Sequence, residues 1–430
     1  MDRRTALGAL AGACLPSAAQ ARRPNVLLIN ADDQRFDTIR ALGNREIHTP
    51  VLDGLVKRGF HFTNLYSQGG LIGAMCLPSR TMLMTGRTVF RIPKPQDRSG
   101  NYPLLAKAMQ AGGYATFHAG KRGNTFLPAS EAFEKFTFAE QLGKEREPQS
   151  RWHADAVIEF VKSVPGEKPF FVYMAPPVPH DPRVAEERFM KMYDPAKITL
   201  PPNFMPGHPF DNGDLKIRDE MLAGFPRTED EMRKHLAEYY GTISCFDHHI
   251  GRVLDHLRDT GRLGNTVVIF TSDQGLAVGG RHGLMGKQNL YEHFKSPFIL
   301  AGPGIRRGKS DAIVHMHDLF PTVCAIAGAA VPREVEGSNL LPVIQGTAAQ
   351  VREHGFAVYK DVQRMVRDAR YKLIWYPKVP QFQLFDVVKD PWELTNLASR
   401  PEHAKRLGDL KKTLARLMDQ HEDVMKERPA

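Results

Sequence analysis

The chain has 430 residues, 42% of them apolar and 25% charged, with 58 Lys and Arg against 48 Asp and Glu. That composition excludes a disordered, collagen-like or polytopic membrane protein, and it supplies enough apolar side chain for a large core in about two or three domains. The net charge of +10 favours an anionic partner, and four Cys are too few for a disulfide scaffold at this length.

Residues Met1 to Ala21 have the layout of an export signal. Arg3-Arg4 precedes a short run of small residues and leucines from Ala6 to Leu15, and Ala19-Gln20-Ala21 reads as the cleavage site. The twin arginine points to the twin-arginine route, with the general secretory route as the alternative. The run is too short to cross about 30 Å of hydrocarbon, so no integral membrane span is expected. Cys14 stands in a poor lipobox, Ala11-Gly12-Ala13-Cys14, which disfavours a lipid anchor. Processing removes Asp2, Arg3 and Arg4, so the basic balance stays with the mature protein, expected in the periplasm or secreted.

Val26 to Asn30 is a short apolar run of the buried parallel-strand kind. Thr49-Pro50 reads as the cap and first turn of a helix closed by Gly59. Phe60 to Tyr66 alternates like a strand, Pro103 opens a helix ended by Gly112-Gly113, and Tyr114 to Ala119 is the next strand. A helix from Arg151 to Ser163 leads to the strand Phe170 to Met174. Asp194 to Asp230 is Pro-rich and aperiodic, the kind of surface excursion that borders a binding site. Apolar residues from Met232 to Leu257 recur at helical spacing, with Gly261 as the stop before the strand Thr266 to Thr271. Repeated βα units argue an α/β fold with a mainly parallel central sheet flanked by helices. After Thr347 the texture changes to short antiparallel strands (Gly355–Lys360, Gln363–Asp368, Arg370–Tyr376, Gln381–Asp386) and an amphipathic helix from His403 to Met425. The expected division is therefore a signal at 1–21, an α/β domain at 22–346, and a small C-terminal α+β subdomain at 347–430.

Parallel sheets carry their sites at the carboxyl ends of the strands. Four expected strands end in polar residues: Asp32-Asp33, Lys121, His180-Asp181-Pro182-Arg183, and Asp273-Gln274 with His282 and Lys287 close behind. Singly, each has an ordinary reading as a helix cap or a solvated side chain; four on one edge point to a site. Asp32, Asp33, Asp273 and the Gln274 amide oxygen are hard ligands suited to Ca²⁺ or Mg²⁺ and poor for zinc. Lys121, His180 and Lys287 are donors able to hold a tetrahedral oxyanion and protonate a leaving oxygen. Such a set suits phosphoryl or sulfuryl transfer.

Cys76-Leu77-Pro78-Ser79-Arg80 places Cys76 at a helix N-terminus, where anions are favoured and a thiol is acidified. By the residues alone, a thiolate enzyme and a buried structural Cys both remain open. The segment resembles the formylglycine-dependent sulfatases of the alkaline-phosphatase superfamily, whose Cys-x-Pro-Ser-Arg is followed by Thr-Gly-Arg, here Thr85-Gly86-Arg87. The resemblance runs on through Gly120-Lys121, Pro179-His180, Ser272-Asp273-Gln274-Gly275 and His282-Gly283-Leu284-Met285-Gly286-Lys287. It reaches Arg367-Asp368-Ala369-Arg370-Tyr371-Lys372-Leu373 and Asp390-Pro391-Trp392-Glu393-Leu394-Thr395-Asn396-Leu397 in the tail. It implies that Cys76 is oxidised by a formylglycine-generating enzyme to formylglycine (3-oxoalanine), whose hydrate is the nucleophile. It implies too that Asp32, Asp33, Asp273, Gln274 and the modified Cys76 bind Ca²⁺, with Mg²⁺ second. Arg80 then steadies the formylglycine, Lys121 and Lys287 hold sulfate oxygens, and His180 with Lys287 serves the leaving oxygen.

One position departs from the family. Gly-Lys-Trp-His is usual around the first lysine, whereas this chain has Gly120-Lys121-Arg122-Gly123-Asn124, so Gly123 stands where a His is expected to act as base. Arg122, Asn124 and His118 are the nearby polar residues. Loss of one acid–base group is worth about 10²–10⁴ in rate. The expected activity is hydrolysis of sulfate esters on an anionic sulfated carbohydrate, with Arg183, His282 and Arg364 as candidate substrate contacts. The alternatives are a phosphonate or phosphate ester hydrolase of the same superfamily, and a catalytically impaired anion-binding homologue. Nucleic-acid binding is not expected, because Lys and Arg are dispersed and no recognition module is present. Cys245 and Cys324 are expected as buried free thiols.

Overall fold

Apolar runs of β-branched and aromatic residues become the central sheet. The computed structural model describes residues 22–142 and 148–429, so the export-signal segment and Cys14 lie outside the described residues. The strands are β1 (Asn25–Ala31), β2 (Phe60–Tyr66), β3 (Gly69–Gly70), β4 (Ala115–Gly120), β5 (Lys135–Phe138), β6 (Phe170–Ala175), β7 (Thr266–Ser272), β8 (Ser296–Ala301), β9 (Gly308–His315), β10 (Gly355–Tyr359), β11 (Gln363–Arg367), β12 (Tyr371–Tyr376) and β13 (Gln381–Asp386). Eight of them form one mixed sheet in the order β5-β4-β6-β1-β7-β8-β2-β9. From β5 to β7 every pairing is parallel, while β8 runs antiparallel to both β7 and β2.

Alternate residues of β1 face opposite layers, as strand geometry requires. Val26 and Leu28 join a core with Met82, Leu105 and Val323, whereas Leu27 and Ile29 pack with Val157, Phe246 and Val253. The second layer is built by the helices Pro50–Arg58, Gln149–Ser163 and Glu229–Asp259. Thr49 precedes the first of these, but its hydroxyl does not cap it. The buried Asp247 carboxylate does so from the long helix, accepting the Val51 and Leu52 N–H groups at 3.0 and 2.7 Å.

The four C-terminal strands form an antiparallel sheet in the order β13-β12-β11-β10, closed by β3 alongside β10 in parallel. That fifth strand lies just ahead of Cys76, so the C-terminal sheet is anchored beside the segment that carries it. The helix Ala404–Gln420 packs Leu410, Leu414 and Met418 into the core shared with the first layer. Among the described residues, no helix is long and apolar enough to cross a membrane.

Candidate active site

The strands β4, β6, β1 and β7 are adjacent and parallel, so their carboxyl ends share one edge and deliver their polar residues to one place. Asp32 follows β1, and its N–H donates to Val178 O at 2.8 Å in the loop after β6. Asp33 adopts a left-handed φ of 68°, which Asp tolerates better than most residues. The Asp273 Oδ1 accepts both the Asp33 and Gln274 N–H groups, at 3.0 and 2.9 Å, locking the β1 and β7 exits together.

The helix Cys76–Thr85 enters this edge with its first residue, and nine of its ten residues are buried. The Cys76 Sγ lies 3.2 Å from Gln274 Nε2, 3.4 Å from Lys287 Nζ and 3.9 Å from Asp33 Oδ1. One turn on, the Ser79 hydroxyl donates to Asp273 O at 2.6 Å, and Arg80 Nε donates to Asp273 Oδ2 at 3.0 Å. Arg80 Nη2 is 3.6 Å from Asp32 Oδ1. Lys121 pairs with Asp32, and Lys287 with Asp33 at 2.9 Å. His180 donates from Nδ1 to Asp181 O at 2.6 Å and turns Nε2 to within 3.6 Å of Asp33 Oδ2.

Three buried carboxylates thus meet three buried cations. Burial alone lifts Asp32, but Lys121 and Arg80 outweigh it and hold the carboxyl well below the usual range. Burial, with the Asp32 charge, pushes Asp273 up to about 7. Burial also drives the Cys76 thiol well up, whereas for Lys287 the carboxylate of Asp33 overcomes burial and keeps the ammonium charged. Asp32 Oδ1 and Gln274 Oε1 are buried without a hydrogen-bond partner. Ligand atoms of Asp32, Asp33, Cys76 and Asp273 all lie within 4.8 Å of one another. Orphaned hard oxygens among repelling carboxylates fit a hard divalent cation.

The sulfatase family profile matches residues 24–329 of this chain. The chain belongs to the sulfatase family. A second profile, N-sulphoglucosamine sulphohydrolase C-terminal, matches residues 280–420. The sulfatase is 26% identical over 470 residues to the arylsulfatase of Clostridium perfringens, covering 93% of this chain and 95% of that one. It is 24% identical over 507 residues to the N-acetylglucosamine-6-O-sulfatase of Bacteroides thetaiotaomicron, covering 96% and 89%. Among solved structures, it superposes with a TM-score of 0.79 and 22% identity on a protein in complex with its substrate D-glucosamine-2-N,6-O-disulfate, covering 94% of this chain and 100% of that one. The phosphonate monoester hydrolase of Agrobacterium radiobacter matches with a TM-score of 0.78 and 22% identity, over 93% and 96% of the two chains. The fold is alkaline-phosphatase-like, and the protein is a sulfatase hydrolase.

Within this sulfatase, the three candidate substrate contacts differ in their surroundings. Arg364 forks onto Asp423 through Nε and Nη2, at 2.5 and 2.9 Å, and gives Nη1 to two backbone carbonyls, so its donors are spent between the C-terminal sheet and the segment after the last helix. His282 stacks on Tyr291 with centroids 3.9 Å apart, and burial pushes it down to about 3, which makes it a neutral packing residue. Arg183 lies over the Tyr239 ring at 5.6 Å with Nη1 3.2 Å from His235 Nδ1, and its Nε and Nη2 are buried without a hydrogen-bond partner, so these donors are not spent on the protein. Gly123 lies in an exposed turn with Arg122 and Asn124. His118 is no stand-in for the family's His, since it sits among Phe133, Phe138 and Tyr173, and burial pushes it down to about 3. Cys245 and Cys324 are free and buried.

The Pro-rich excursion supplies residues that the sequence pattern did not single out. Asp219 Oδ2 is 3.7 Å from Lys287 Nζ and accepts from Gln288 at 2.7 Å, and Arg218 bridges Asp219 to Asp181. The excursion is thus more than surface: Glu220 and Arg227 pair inside it at 2.8 Å, both fully buried. Its position along the chain was the only signal, because no periodicity marks which of its polar residues turn inward.

Proposed function

We propose that this sulfatase removes sulfate from an anionic saccharide, with Cys76 acting in its formylglycine form and Ca²⁺ in the carboxylate cluster. The observation that carries the reading is the convergence of Asp32, Asp33, Asp273 and Gln274 on Cys76, ringed by Lys121, Lys287 and His180. Asp32, Asp33, Asp273 and Gln274 would hold the cation, which when bound neutralises the carboxylates and draws the sulfate towards Cys76. The modification would supply a geminal diol, an oxygen nucleophile where the thiol has none, with a second hydroxyl for releasing sulfate that a Ser lacks.

The chain's own residues do the rest. Arg80 ties the helix that presents Cys76 to Asp273 and Asp32, so the nucleophile is held against the cluster. Lys121 and Lys287 stay cationic and offer N–H donors to sulfate oxygens where negative charge accumulates. His180, its Nδ1 fixed on Asp181 O, presents Nε2 to the leaving oxygen and delivers the proton there. With Gly123 in the family's His position, that position offers no imidazole to take up a proton beside Cys76.

A saccharide substrate is supported by the carbohydrate sulfatases among the relatives, by the disulfated glucosamine bound in the similar structure, and by the net charge of +10. The reading includes export through residues 1–21 to the periplasm or beyond, and maturation by a formylglycine-generating enzyme. The test is a mass spectrum of the Cys76 peptide together with turnover of matched aryl sulfate, phosphate diester and phosphonate esters. Formylglycine at Cys76, sulfate preferred, and loss of turnover in Cys76→Ala support the proposal. Intact Cys in active enzyme, or a preference for phosphorus, overturns it.

A further inference from the structure

Two segments that carry the family resemblance, Arg367–Leu373 and Asp390–Leu397, supply no residue to the carboxylate cluster. They supply a buried ionic network behind it. Lys372, on β12, is completely buried, with Nζ 2.6 Å from Glu393 and 3.2 Å from Glu292. The Glu393 Oε2 accepts the Glu292 N–H at 2.6 Å. Glu292 also pairs with Lys295 at 2.8 Å, accepts the Tyr66 hydroxyl at 2.7 Å, and lies 3.8 Å from Arg367 Nε. Burying this many charges is costly unless each is paired, so the network is rigid when complete and disruptive when broken.

What the network grips is the 292–295 turn. The Phe294 carbonyl accepts the Gly275 N–H at 3.1 Å, and Gly275 follows Gln274 directly. A Cβ on Gly275 would fall on the His293 carbonyl, so only glycine permits this approach. On the other side, the Lys295 carbonyl accepts the Phe36 N–H at 3.2 Å, three residues after Asp33, and Lys295 Nζ lies over the Phe36 ring at 4.1 Å. One turn therefore seats the backbone behind two of the cluster's oxygen donors.

We propose that Lys372 and Glu393 are positioning residues for the cation site: from the C-terminal sheet and the loop that follows it they fix the 292–295 turn, and the turn fixes the backbone that aims Gln274 and Asp33. The inference rests on the Ca²⁺ assignment above. Without Lys372, Glu292 and Glu393 lose their shared counter-ion and repel. The turn shifts, and oxygens that must lie about 2.3–2.6 Å from the ion move out of register.

The experiment is Ca²⁺ titration of chelator-stripped, full-length mature protein by calorimetry, with Tm followed by circular dichroism. Lys372→Met and Glu393→Ala are expected to weaken the Ca²⁺ Kd by about tenfold or more and to shrink the rise in Tm on adding Ca²⁺. Leu414→Ala, in the core of the C-terminal helix, is expected to lower Tm and leave Kd within about twofold. Folded Lys372→Met and Glu393→Ala proteins that bind Ca²⁺ like the wild type overturn the proposal, as does an equal loss of affinity in Leu414→Ala. If Lys372→Met does not fold, Glu393→Ala decides. A wild type that neither binds Ca²⁺ nor cleaves sulfate esters removes the functional reading and this inference with it. A wild type that does both, with variants that match it, removes the inference alone.

Discussion

Replacing Arg80 by Met should be among the most damaging single changes outside the nucleophile. The guanidinium is 3% exposed, 3.0 Å from Asp273 and 3.6 Å from Asp32. Opposite unit charges about 4 Å apart interact by about 4 kcal/mol at an effective dielectric near 20, and Arg80 serves two carboxylates. Removing it also relieves the cost of burying the guanidinium, which offsets part of that sum, and breaking such buried pairs costs about 3–5 kcal/mol. Asp273, already lifted to about 7, then rises further and takes a proton, so the β7 exit loses its charge as well as its partner. Urea unfolding of the metal-free protein should therefore register a loss of about 3–5 kcal/mol for Arg80→Met. Turnover of an aryl sulfate should fall by about 10² or more, because a misplaced nucleophile costs that much. Arg80→Lys should recover less than half of either, because one ammonium cannot reproduce a planar fork. A variant within about 1 kcal/mol of the wild type that keeps a third of its turnover would refute the assignment of Arg80 as the tie between helix and cluster.

Chelation should abolish activity and lower Tm, with Ca²⁺ restoring both; at 100 times its Kd the ion adds about 2.7 kcal/mol, and full activity in chelator contradicts the ligand set. Stability should fall with acid: burial pushes His118 and His282 down to about 3, from the ordinary imidazole value of about 6.5. Below about pH 6.5 the unfolded chain binds protons that the folded chain refuses, so each group costs up to about 1.4 kcal/mol per pH unit between there and 3, and nothing above. Urea midpoints that stay flat from pH 7 to 5 would contradict the neutral burial of these rings. Gly123→His should raise turnover about tenfold or more, since a Cβ there meets nothing within 4 Å and the backbone is not left-handed. An unchanged or lower rate in a fully folded variant would place the missing base elsewhere.

Much of the α/β layer was legible because its strands are buried on both faces. Val26–Asn30, Phe170–Met174 and Thr266–Thr271 read as continuous apolar runs, and each strand observed extends them by only one or two residues. Three of the strands that gave no reading have physical reasons for it. β8 contains Pro297, which demotes a run as a strand; β9 begins polar because it lies on the sheet edge; and β3 is two glycines with no side-chain pattern. The cluster was legible because adjacent parallel strands must end on one edge, which made Asp32-Asp33, Lys121, His180 and Asp273-Gln274 neighbours before any coordinate. The surroundings of Arg364 and His282 were not legible, because a charged or aromatic side chain in a motif looks the same whether it meets a ligand, Asp423 or the face of Tyr291.

Taken by itself, the sequence determined which chemistry is present and which strand each group follows, because periodicity, caps and turn residues act over a few neighbours. Only the tertiary structure decided which groups are spent on one another. It paired Arg364 with Asp423 and stacked His282 on Tyr291. It also brought Asp219 to Lys287 across the Pro-rich excursion, and paired Lys372 of the C-terminal sheet with Glu393 and Glu292. Those outcomes depend on pairing and desolvation between residues far apart in the chain, which no local pattern encodes.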